Sequence, residues 1–295
     1  MTMRSSDQVD GVDRPTVAIV TPSLNQRRWL AAAIDSVLAQ DYAPIDYFVI
    51  DAGSTDGSLE LLRSYGDRIR WASERDSGQA EGVDKAIHRT TGEIIGWLNA
   101  DDVYEPGAVS RAVEAFIAAP NAPAVYGDAT FIDADGNHIR PCSHIEPWSL
   151  ERLIGELDFI VQPATFFRRS AYEAAGGLNW NLHYSLDYDL FIRLGKIAPL
   201  TYLRERQARV RMYAATKTSS GGLRRLDELE QMIRTHGRRT LPVDFEPEMV
   251  HAAKGELKDG IRHGRLSAVL AGGSRLARYW PREALHRRHR REGSR

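Results

Sequence analysis

The sequence predicts an α/β fold, a mixed and mainly parallel sheet with helices on both faces, followed by a C-terminal helical extension. Short apolar segments alternate with helical segments four times in the first 118 residues, which favours parallel strands. Beyond residue 221 the pattern is helical throughout, with a proline break near 241–242. The 295 residues are 42% apolar and 27% charged, which suits a folded domain with an appendage.

The first half contains the four strand–helix pairs. The strands are predicted at 17–20, 47–50, 69–71 and 94–98. The helices are predicted at 26–39, 58–65, 80–89 and 106–118. In sheets of this kind the ligand lies beyond the carboxyl ends of the strands.

The second half has a less regular pattern. Two strands are predicted, at 125–128 and 129–132, and an Asp-Gly-Asn hairpin turn follows at 135–137. Helices are predicted at 149–156, 170–175 and 187–194.

Composition excludes several classes of protein. The net charge of −1 predicts no nucleic-acid partner. The single cysteine, Cys142, excludes an internal disulfide and a cysteine-based zinc site, and it fits a reducing compartment. Residues 1–14 are polar, which predicts a disordered leader rather than a signal peptide. No uninterrupted apolar stretch is long enough for a transmembrane helix, so we expect a cytoplasmic protein.

Two adjacent carboxylates, Asp101 and Asp102, follow the buried strand at 94–98. Burial and mutual repulsion make such a pair costly, and a divalent cation relieves both effects. Hard cations such as Mg²⁺ or Mn²⁺ bind carboxylates together with substrate phosphates. The pair therefore predicts a metal site for a phosphorylated substrate. The alternative is a strand-to-helix turn in which Asp102 caps the helix near Pro106.

Polar clusters follow all four predicted strands, so they are expected at one edge of the sheet and predict a single binding site. The candidate binding residues in them are Thr21, Pro22, Ser23, Asn25, Asp51, Gly53, Ser54, Asp76, Gln79, Asn99 and Ala100.

The turn at 51–58 is acidic and glycine-rich. Its glycines permit close approach of the backbone, and Asp51 could accept hydrogen bonds from a base or a ribose. It lacks the Gly-Lys-Ser/Thr of a phosphate-binding loop, and the alternative is a capping turn around Asp56. Asp76 could likewise hold a base or ribose. Lys85, on the following helix, lies either near a phosphate or on the surface.

Asp187 and Asp189 begin a predicted helix. A carboxylate here could act as the general base for a hydroxyl nucleophile. On spacing alone, first-turn carboxylates that complement the helix dipole are the stronger alternative.

Taken together, these runs resemble the family 2 glycosyltransferases of the GT-A fold. The resemblance covers residues 15–220 and is carried by 21–25, 36–42, 51–58, 91–93, 98–102, 162–169, 176–178 and 186–190.

The resemblance implies transfer of a sugar from a nucleotide-diphosphate donor to an acceptor hydroxyl, with inversion. Pro22, Asp51 and Asp76 match positions that bind the base and ribose. The run 99–101 matches the Asp-X-Asp motif, so Asp101 is the expected ligand of Mn²⁺ or Mg²⁺. Asp187 matches the catalytic base. Inversion requires base and leaving group on opposite faces of the sugar.

Three positions depart from the family pattern. Asn99 replaces the first Asp of the motif, and Asp102 is a candidate to compensate as a second metal ligand. Tyr213 stands where many relatives carry a His, so diphosphate contact would pass to Arg211 or Lys217. Leu186 stands where relatives often have Glu.

The resemblance also sets expectations for substrates. A UDP-sugar is favoured as donor, with GDP or dTDP possible, and the acceptor is expected to be a glycan or glycolipid in polysaccharide or glycolipid biosynthesis. The acceptor-binding candidates are Gln162, His183, Tyr184 and Asp189. Residues 15–125 would form the nucleotide-sugar half and 126–220 the acceptor half, with 221–295 as the helical extension.

Two other functions remain open. One is a non-catalytic nucleotide-sugar-binding or scaffold protein on a degenerate fold, which Asn99 and Tyr213 keep in view. The other is a sugar-phosphate nucleotidyltransferase, but residues 21–26 lack its glycine-rich basic loop.

The tail at 274–295 carries eight Arg and two Glu. It predicts either a solvated end, the favoured reading, or a helix on the inner face of an anionic membrane.

Overall fold

The computed structural model describes residues 14–292, with side chains omitted at 218, 219 and 281–292. The predicted leader, apart from Arg14, and the last three residues of the basic tail lie outside the described residues.

One mixed sheet of nine strands organises the described chain, in the order β3-β2-β1-β4-β8-β6-β9-β5 with β7 paired to β6. The strands are β1 Val17–Ser23, β2 Ile45–Asp51, β3 Arg70–Ser73, β4 Ile94–Trp97, β5 Val103–Tyr104, β6 Ala124–Ile132, β7 His138–Pro141, β8 Thr165–Arg168 and β9 Thr201–Arg211. Strands β1 to β4 pair in parallel with one another, and β6 pairs in parallel with β9. The remaining pairs are antiparallel.

Helices flank both faces of this sheet, and the chain after the last strand, β9, is helical. They are α1 Leu30–Leu38, α2 Ser58–Ser64, α3 Gln79–His88, α4 Ala108–Ala118, α5 Leu150–Gly155, α6 Arg169–Ala174, α7 Leu186–Ile197, α8 Lys217–Ser220, α9 Gly222–Thr235, α10 Glu246–Arg262 and α11 Leu266–Glu292.

The structure confirms the α/β fold class and the four strand–helix pairs, and it corrects several details. Residues 26–29 form a turn, so α1 begins at Leu30. The two strands predicted within 125–132 are one continuous strand, β6, whose register shifts against β9. Strands β5, β8 and β9 were not predicted. In β9 the middle of the strand is charged and exposed, which hides it from an apolar pattern.

Two hydrophobic cores lie on the two faces of the sheet because neighbouring side chains of β1 point to opposite faces. Ala18 and Val20 belong to one core, and Val17 and Ile19 belong to the other. The first core also contains side chains of α9, α10 and α11, among them Leu229. The helical extension is therefore continuous with the core of the sheet. In the described part of the chain, no helix is both long and apolar enough to span a bilayer.

Gly96, in the middle of β4, has no room for a side chain. A Cβ there would lie 2.6 Å from the Tyr104 hydroxyl, 2.8 Å from Phe166 and 2.9 Å from Ile19. Gly96→Ala should therefore lower the free energy of unfolding by about 1–3 kcal/mol, measured by urea denaturation. Gly255→Ala is the control, because nothing lies within 4 Å of its Cβ position in α10. The control should be neutral or stabilising by up to about 1 kcal/mol. Equal stability of both variants would contradict the prediction.

Candidate active site

The loops after β1 and β2 are interlocked by hydrogen bonds. The buried Asp51 accepts hydrogen bonds from the backbone N–H of Gly53 (2.9 Å) and Ser54 (2.8 Å) and from the hydroxyls of Ser54 (2.5 Å) and Ser73 (3.0 Å). The backbone N–H of Asn25 donates to Ser54 Oγ at 2.8 Å. Asn25 has φ of +53°, a left-handed conformation that Asn tolerates better than most residues. Asp51 therefore shapes the loop of the proposed nucleotide pocket, and its carboxylate already accepts four hydrogen bonds within the protein.

The side chains at the end of β1 differ in their surroundings. Thr21 has no exposed surface, and its hydroxyl lies 3.1 Å from that of Tyr47 in the core. The structure therefore does not support the predicted donor contact of Thr21, because its side chain lies in the core. Ser23 is buried, and its hydroxyl has no hydrogen-bond partner among the described residues. Pro22 is half-buried and stays a predicted contact.

Asp76 lies in the loop that leads into α3. One carboxylate oxygen accepts the backbone N–H of Gly78 at 3.1 Å. The other would lie 2.7 Å from a Cβ at position 82, so Gly82 makes room for it. Burial raises the pKa of Asp76. Asp76 therefore remains a candidate ligand contact.

Lys85 does not supply a free cation to the site. Its ammonium lies 2.7 Å from Glu81 and 3.7 Å from Glu74. These ion pairs favour the alternative in which Lys85 is a paired lysine of the helix surface, and they do not support its predicted phosphate contact.

Asn99 is the centre of a saturated hydrogen-bond network. Its carbonyl oxygen accepts from Gln79 (2.8 Å) and Trp97 (2.9 Å). Its amide donates to Gln162 (2.8 Å) and Asp102 (3.4 Å). An Asn amide can make about four hydrogen bonds, so none is left for a ribose.

Gln162 is also committed within the protein, since its amide donates to the Trp97 carbonyl at 2.5 Å and the residue is buried. The predicted ligand contacts of Asn99 and Gln162 are therefore corrected to support of the strand-end loop, whereas Gln79, half-buried and bonded to Asn99 through its amide, stays a predicted contact.

The Asp102 carboxylate takes part in this network through the amide of Asn99. It accepts the backbone N–H of Arg211 at 3.0 Å and is buried. Burial, followed by repulsion from Asp101, raises the pKa of Asp102 well above its usual range. The Arg211 guanidinium donates to the carbonyls of Asp101 (2.8 Å) and Asp133 (2.9 Å). Neither the predicted metal contact of Asp102 nor the predicted diphosphate contact of Arg211 fits these partners.

Asp101 is the carboxylate of the pair that retains some exposure, whereas Ala100 beside it is buried. The Tyr213 hydroxyl donates to Asp101 Oδ2 at 2.8 Å, and the Tyr213 ring packs on Trp29 with centroids 4.4 Å apart. Burial raises the pKa of Asp101, which the Tyr213 hydrogen bond opposes. Tyr213 thus contacts the predicted metal ligand directly.

The fit of a divalent cation rests on this one carboxylate. Within residues 14–292, no group of three or more His, Cys, Asp or Glu side chains could hold a metal ion. A single carboxylate oxygen nevertheless suits Mg²⁺ or Mn²⁺, which take their other ligands from phosphates and water. Burial raises the pKa of Asp101 and so destabilises its ionised form, which a bound cation would stabilise. The residues fit a cation that arrives with a diphosphate.

Asp187 lies in the first turn of α7, and its carboxylate accepts the backbone N–H of Tyr188 at 2.9 Å. Burial raises the pKa of Asp187, and the charge of Lys217 opposes that rise. The Lys217 ammonium donates to the His183 carbonyl at 3.0 Å. Lys217 interacts electrostatically with Asp187 and also with Asp76. Lys217 therefore joins the donor-side loop to the helix that carries the predicted base.

A carboxylate that the sequence analysis missed, Asp158, adjoins Asp187. Burial and the charge of Asp187 raise the pKa of Asp158 well above its usual range. It accepts one backbone N–H, that of Ile160, at 3.4 Å. The signal in the sequence was an Asp between Leu157 and the apolar run at 159–161.

The remaining acceptor-side candidates separate into two groups. His183 is exposed, Tyr184 is half-buried, and their rings meet edge-on at 4.7 Å, so both stay predicted contacts. Asp189 is 4% exposed, with its oxygens bound to His236 (2.8 Å) and Arg193 (2.9 Å). The prediction that Asp189 binds the acceptor is therefore wrong.

Comparison with known proteins gives consistent matches. A sequence model of the family described as Glycosyl transferase family 2 matches residues 18–176. The chain is 27% identical over 224 residues to an uncharacterised glycosyltransferase of Rickettsia prowazekii (strain Madrid E), covering 74% of this chain and 70% of that protein. It is 26% identical over 194 residues to a chondroitin synthase of Escherichia coli, covering 65% of this chain. The chain spans only 28% of that synthase's length.

Two solved structures share the fold. A structure of S. aureus TarS 1-349 in complex with UDP-GlcNAc superposes with a TM-score of 0.59 at 12% identity, covering 81% of this chain and 69% of that one. The mannosyltransferase PcManGT from Pyrobaculum calidifontis, in complex with GDP-Man and Mn²⁺, gives a TM-score of 0.58 at 20% identity, covering 94% and 85%.

Proposed function

The chain belongs to glycosyl transferase family 2, and from that premise we propose that it transfers a sugar, with inversion, from a nucleotide-diphosphate-sugar donor to an acceptor hydroxyl. Asp187 is the proposed base, and Asp101 is the proposed ligand of Mn²⁺ or Mg²⁺. The family and the fold support a transferase, whereas inversion, the metal and the residue roles are our proposals.

One observation carries the proposal: a single short segment, residues 213–217, donates a hydrogen bond to one of the two carboxylates and places a positive charge near the other. Tyr213 donates a hydrogen bond to Asp101, and the Lys217 charge acts on Asp187. Because only three residues lie between Tyr213 and Lys217, the proposed metal ligand and the proposed base both lie near the same short segment. This arrangement supports a site in which the leaving group and the nucleophile are handled separately.

In the proposed mechanism Asp187 accepts the proton of the acceptor hydroxyl. The resulting oxygen nucleophile forms a bond to the anomeric carbon, while the bond from that carbon to the diphosphate breaks. The raised pKa of Asp187 makes it a stronger base than an exposed Asp. When bound at Asp101, a divalent cation would neutralise the charge of the leaving diphosphate.

The nature of the substrates is a further proposal. Among the structural neighbours, TarS binds UDP-GlcNAc and PcManGT binds GDP-Man, and a UDP-sugar remains the favoured donor for this chain. The match to a chondroitin synthase supports a glycan or glycolipid acceptor in polysaccharide or glycolipid biosynthesis. A cytoplasmic location, in which such donors are made, completes the proposal.

A scaffold function on the same fold is the alternative. The saturated Asn99 and the Tyr213 contact with Asp101 favour it, because both reduce the number of free ligands. The charge of Lys217 near Asp187 favours catalysis, since a scaffold has no need of a carboxylate with a raised pKa.

A thermal-shift assay tests the metal and donor together. UDP-GlcNAc, UDP-glucose and GDP-mannose should raise the melting temperature of the wild type more with Mn²⁺ than without it, because ligand binding stabilises the folded state. Asp101→Asn should remove the Mn²⁺-dependent part. The control is Asp135→Asn, which loses an exposed carboxylate paired with Arg28. A metal-dependent shift that survives in Asp101→Asn would contradict the role of Asp101.

Asp187→Asn tests the base. Donor binding should be retained, while nucleotide release and sugar transfer should fall by roughly 10²–10⁴-fold. Nucleotide release from the donor panel, measured with and without a glycolipid extract, gives the rates. Turnover equal to the wild type would remove Asp187 from this role. A wild type that binds donor yet neither hydrolyses nor transfers it would favour the scaffold.

Peripheral membrane contact is proposed for one face of the α10–α11 hairpin. Leu266 and Leu270, one turn apart, are 70% and 64% exposed, and Trp280 further along α11 is 50% exposed. Arg275 and Arg278, by contrast, pair with acidic residues of α9 and α10. The same helix carries most of the arginines of the basic tail, which suits an anionic lipid surface.

Sedimentation with vesicles tests this face. The wild type should bind vesicles of phosphatidylglycerol and phosphatidylcholine and leave pure phosphatidylcholine unbound. The double variant Leu266→Glu, Leu270→Glu should bind about tenfold more weakly, because it loses apolar area and adds negative charge. Ile117→Glu, at an exposed apolar residue of α4, is the control. Equal binding by the double variant would contradict the proposal.

A further inference from the structure

One carboxylate from the helical extension accepts hydrogen bonds from the backbone just before α7. Glu228, in α9, accepts the backbone N–H groups of His183 (2.8 Å), Tyr184 (2.7 Å) and Ser185 (2.8 Å). Three consecutive amides that converge on one carboxylate form an anion-binding nest, filled here by the protein itself. Hydrogen bonds to an ionised acceptor are about twice as strong as neutral ones.

These amides fix the start of α7 and therefore the position of Asp187. Asp187 lies two residues after Ser185, in the first turn of the helix. Ser185 stands at the N-cap position and makes no side-chain capping hydrogen bond. The residues before α7 are therefore held by Glu228 rather than by a local cap. Without that carboxylate, three N–H groups would lose their shared acceptor.

The helix that carries Glu228 is itself firmly placed. Leu226 and Leu229 are buried in the core shared with the sheet. Asp227 binds the guanidinium of Arg275 on α11 at 2.6 Å. Glu228 is thus an anchor on a rigid element.

The charges around Asp187 come from three separate elements. Lys217 of α8 lowers the pKa of Asp187, and Glu228 of α9 raises it. Asp158, which follows α5, interacts with Asp187 as a like charge. Burial is the main cause of the raised pKa of Asp187, and the charge of Glu228 adds to that rise and opposes the effect of Lys217.

We propose that Glu228 is a positioning residue for the transfer reaction: it holds the 183–185 backbone, sets the place of Asp187 and balances the charge of Lys217. This proposal rests on the proposed role of Asp187 as base. It assigns part of the active site to the helical extension, beyond residue 176, where the match to the family model ends.

Three substitutions at one position separate geometry from charge. Glu228→Gln keeps the size and an acceptor oxygen but removes the charge. Glu228→Asp keeps the charge but shortens the reach to the three amides. Glu228→Ala removes both. The matched control is Asp227→Asn, which removes a neighbouring carboxylate of α9 that faces Arg275 instead.

Hydrogen exchange tests the geometry without any substrate. Exchange of the peptide that contains 183–185 should be roughly tenfold faster in Glu228→Ala than in the wild type, since a lost acceptor exposes these amides. The peptide should exchange as in the wild type in Asp227→Asn. Unchanged exchange in Glu228→Ala would overturn the proposal.

The pH profile of nucleotide release from UDP-GlcNAc or GDP-mannose, with Mn²⁺, tests the charge. Activity requires ionised Asp187, so its acid limb follows the pKa of that group. Glu228→Gln removes a negative neighbour, lowers that pKa and should move the acid limb to lower pH. Glu228→Asp should leave the limb in place while kcat falls about tenfold through misplacement, with KM for the donor unchanged.

Asp187→Asn, assayed in parallel, separates the two proposals. If it is inactive and Glu228→Gln leaves the acid limb unmoved, the role of Glu228 is overturned and the base stands. If Asp187→Asn is fully active, the assignment of the base is overturned, and with it the role proposed for Glu228 in the reaction. Hydrogen exchange then still decides whether Glu228 holds the backbone.

Discussion

The structure of the loop at the carboxyl end of β4 depends on the hydrogen bonds that stabilise one buried carboxylate, Asp102. Taking a charge out of water costs several kcal/mol unless hydrogen bonds and an opposite charge replace the solvent. Asp102 receives the backbone N–H of Arg211 and the amide of Asn99. The Arg211 guanidinium binds the carbonyls of Asp101, Asp133 and, at 3.2 Å, Ala134. Through its backbone N–H and its guanidinium, Arg211 thus fastens the loop after β4, the turn after β6 and the end of β9 to one another.

The same network divides two adjacent carboxylates into different roles. Asp102 is fixed inward, which leaves Asp101 as the acidic side chain with access to a ligand. It also explains the Asn at position 99. The amide of Asn99 donates to both Asp102 and Gln162, and a carboxylate at this position could donate to neither. An Asp there would also place a third negative charge beside two carboxylates whose pKa values are already raised. An Asn at position 99, in place of the first Asp of the Asp-X-Asp pattern, therefore suits its neighbours Asp102 and Gln162.

The fold was predictable where a pattern is local, and the site only in part. Strands β1, β2 and β4 contain short apolar runs, so the parallel strand–helix pairs and the edge that collects the polar clusters followed from the sequence. Strand β9 was not predicted because its partners β6 and β5 are distant in the sequence and because the middle of the strand is charged. Asp189 was misplaced because its partner His236 lies 47 residues away. The ion pair of Lys85 could have been predicted from the sequence, since Glu81 stands one helical turn before it.

The division between the matched family region and the rest of the chain has a physical consequence. Residues 18–176 contain Asp76 and Asp101, which are proposed to act on the donor, whereas Asp187, Lys217 and Glu228 all follow that region. Glu228 holds His183 to Ser185 through backbone N–H groups, which nearly every residue type possesses. Side chains at these positions can therefore differ without loss of these hydrogen bonds, so the backbone that leads to Asp187 can keep its place. With His183 and Tyr184 as the proposed acceptor contacts, anchoring through the main chain would allow acceptor specificity to change without displacement of the proposed base.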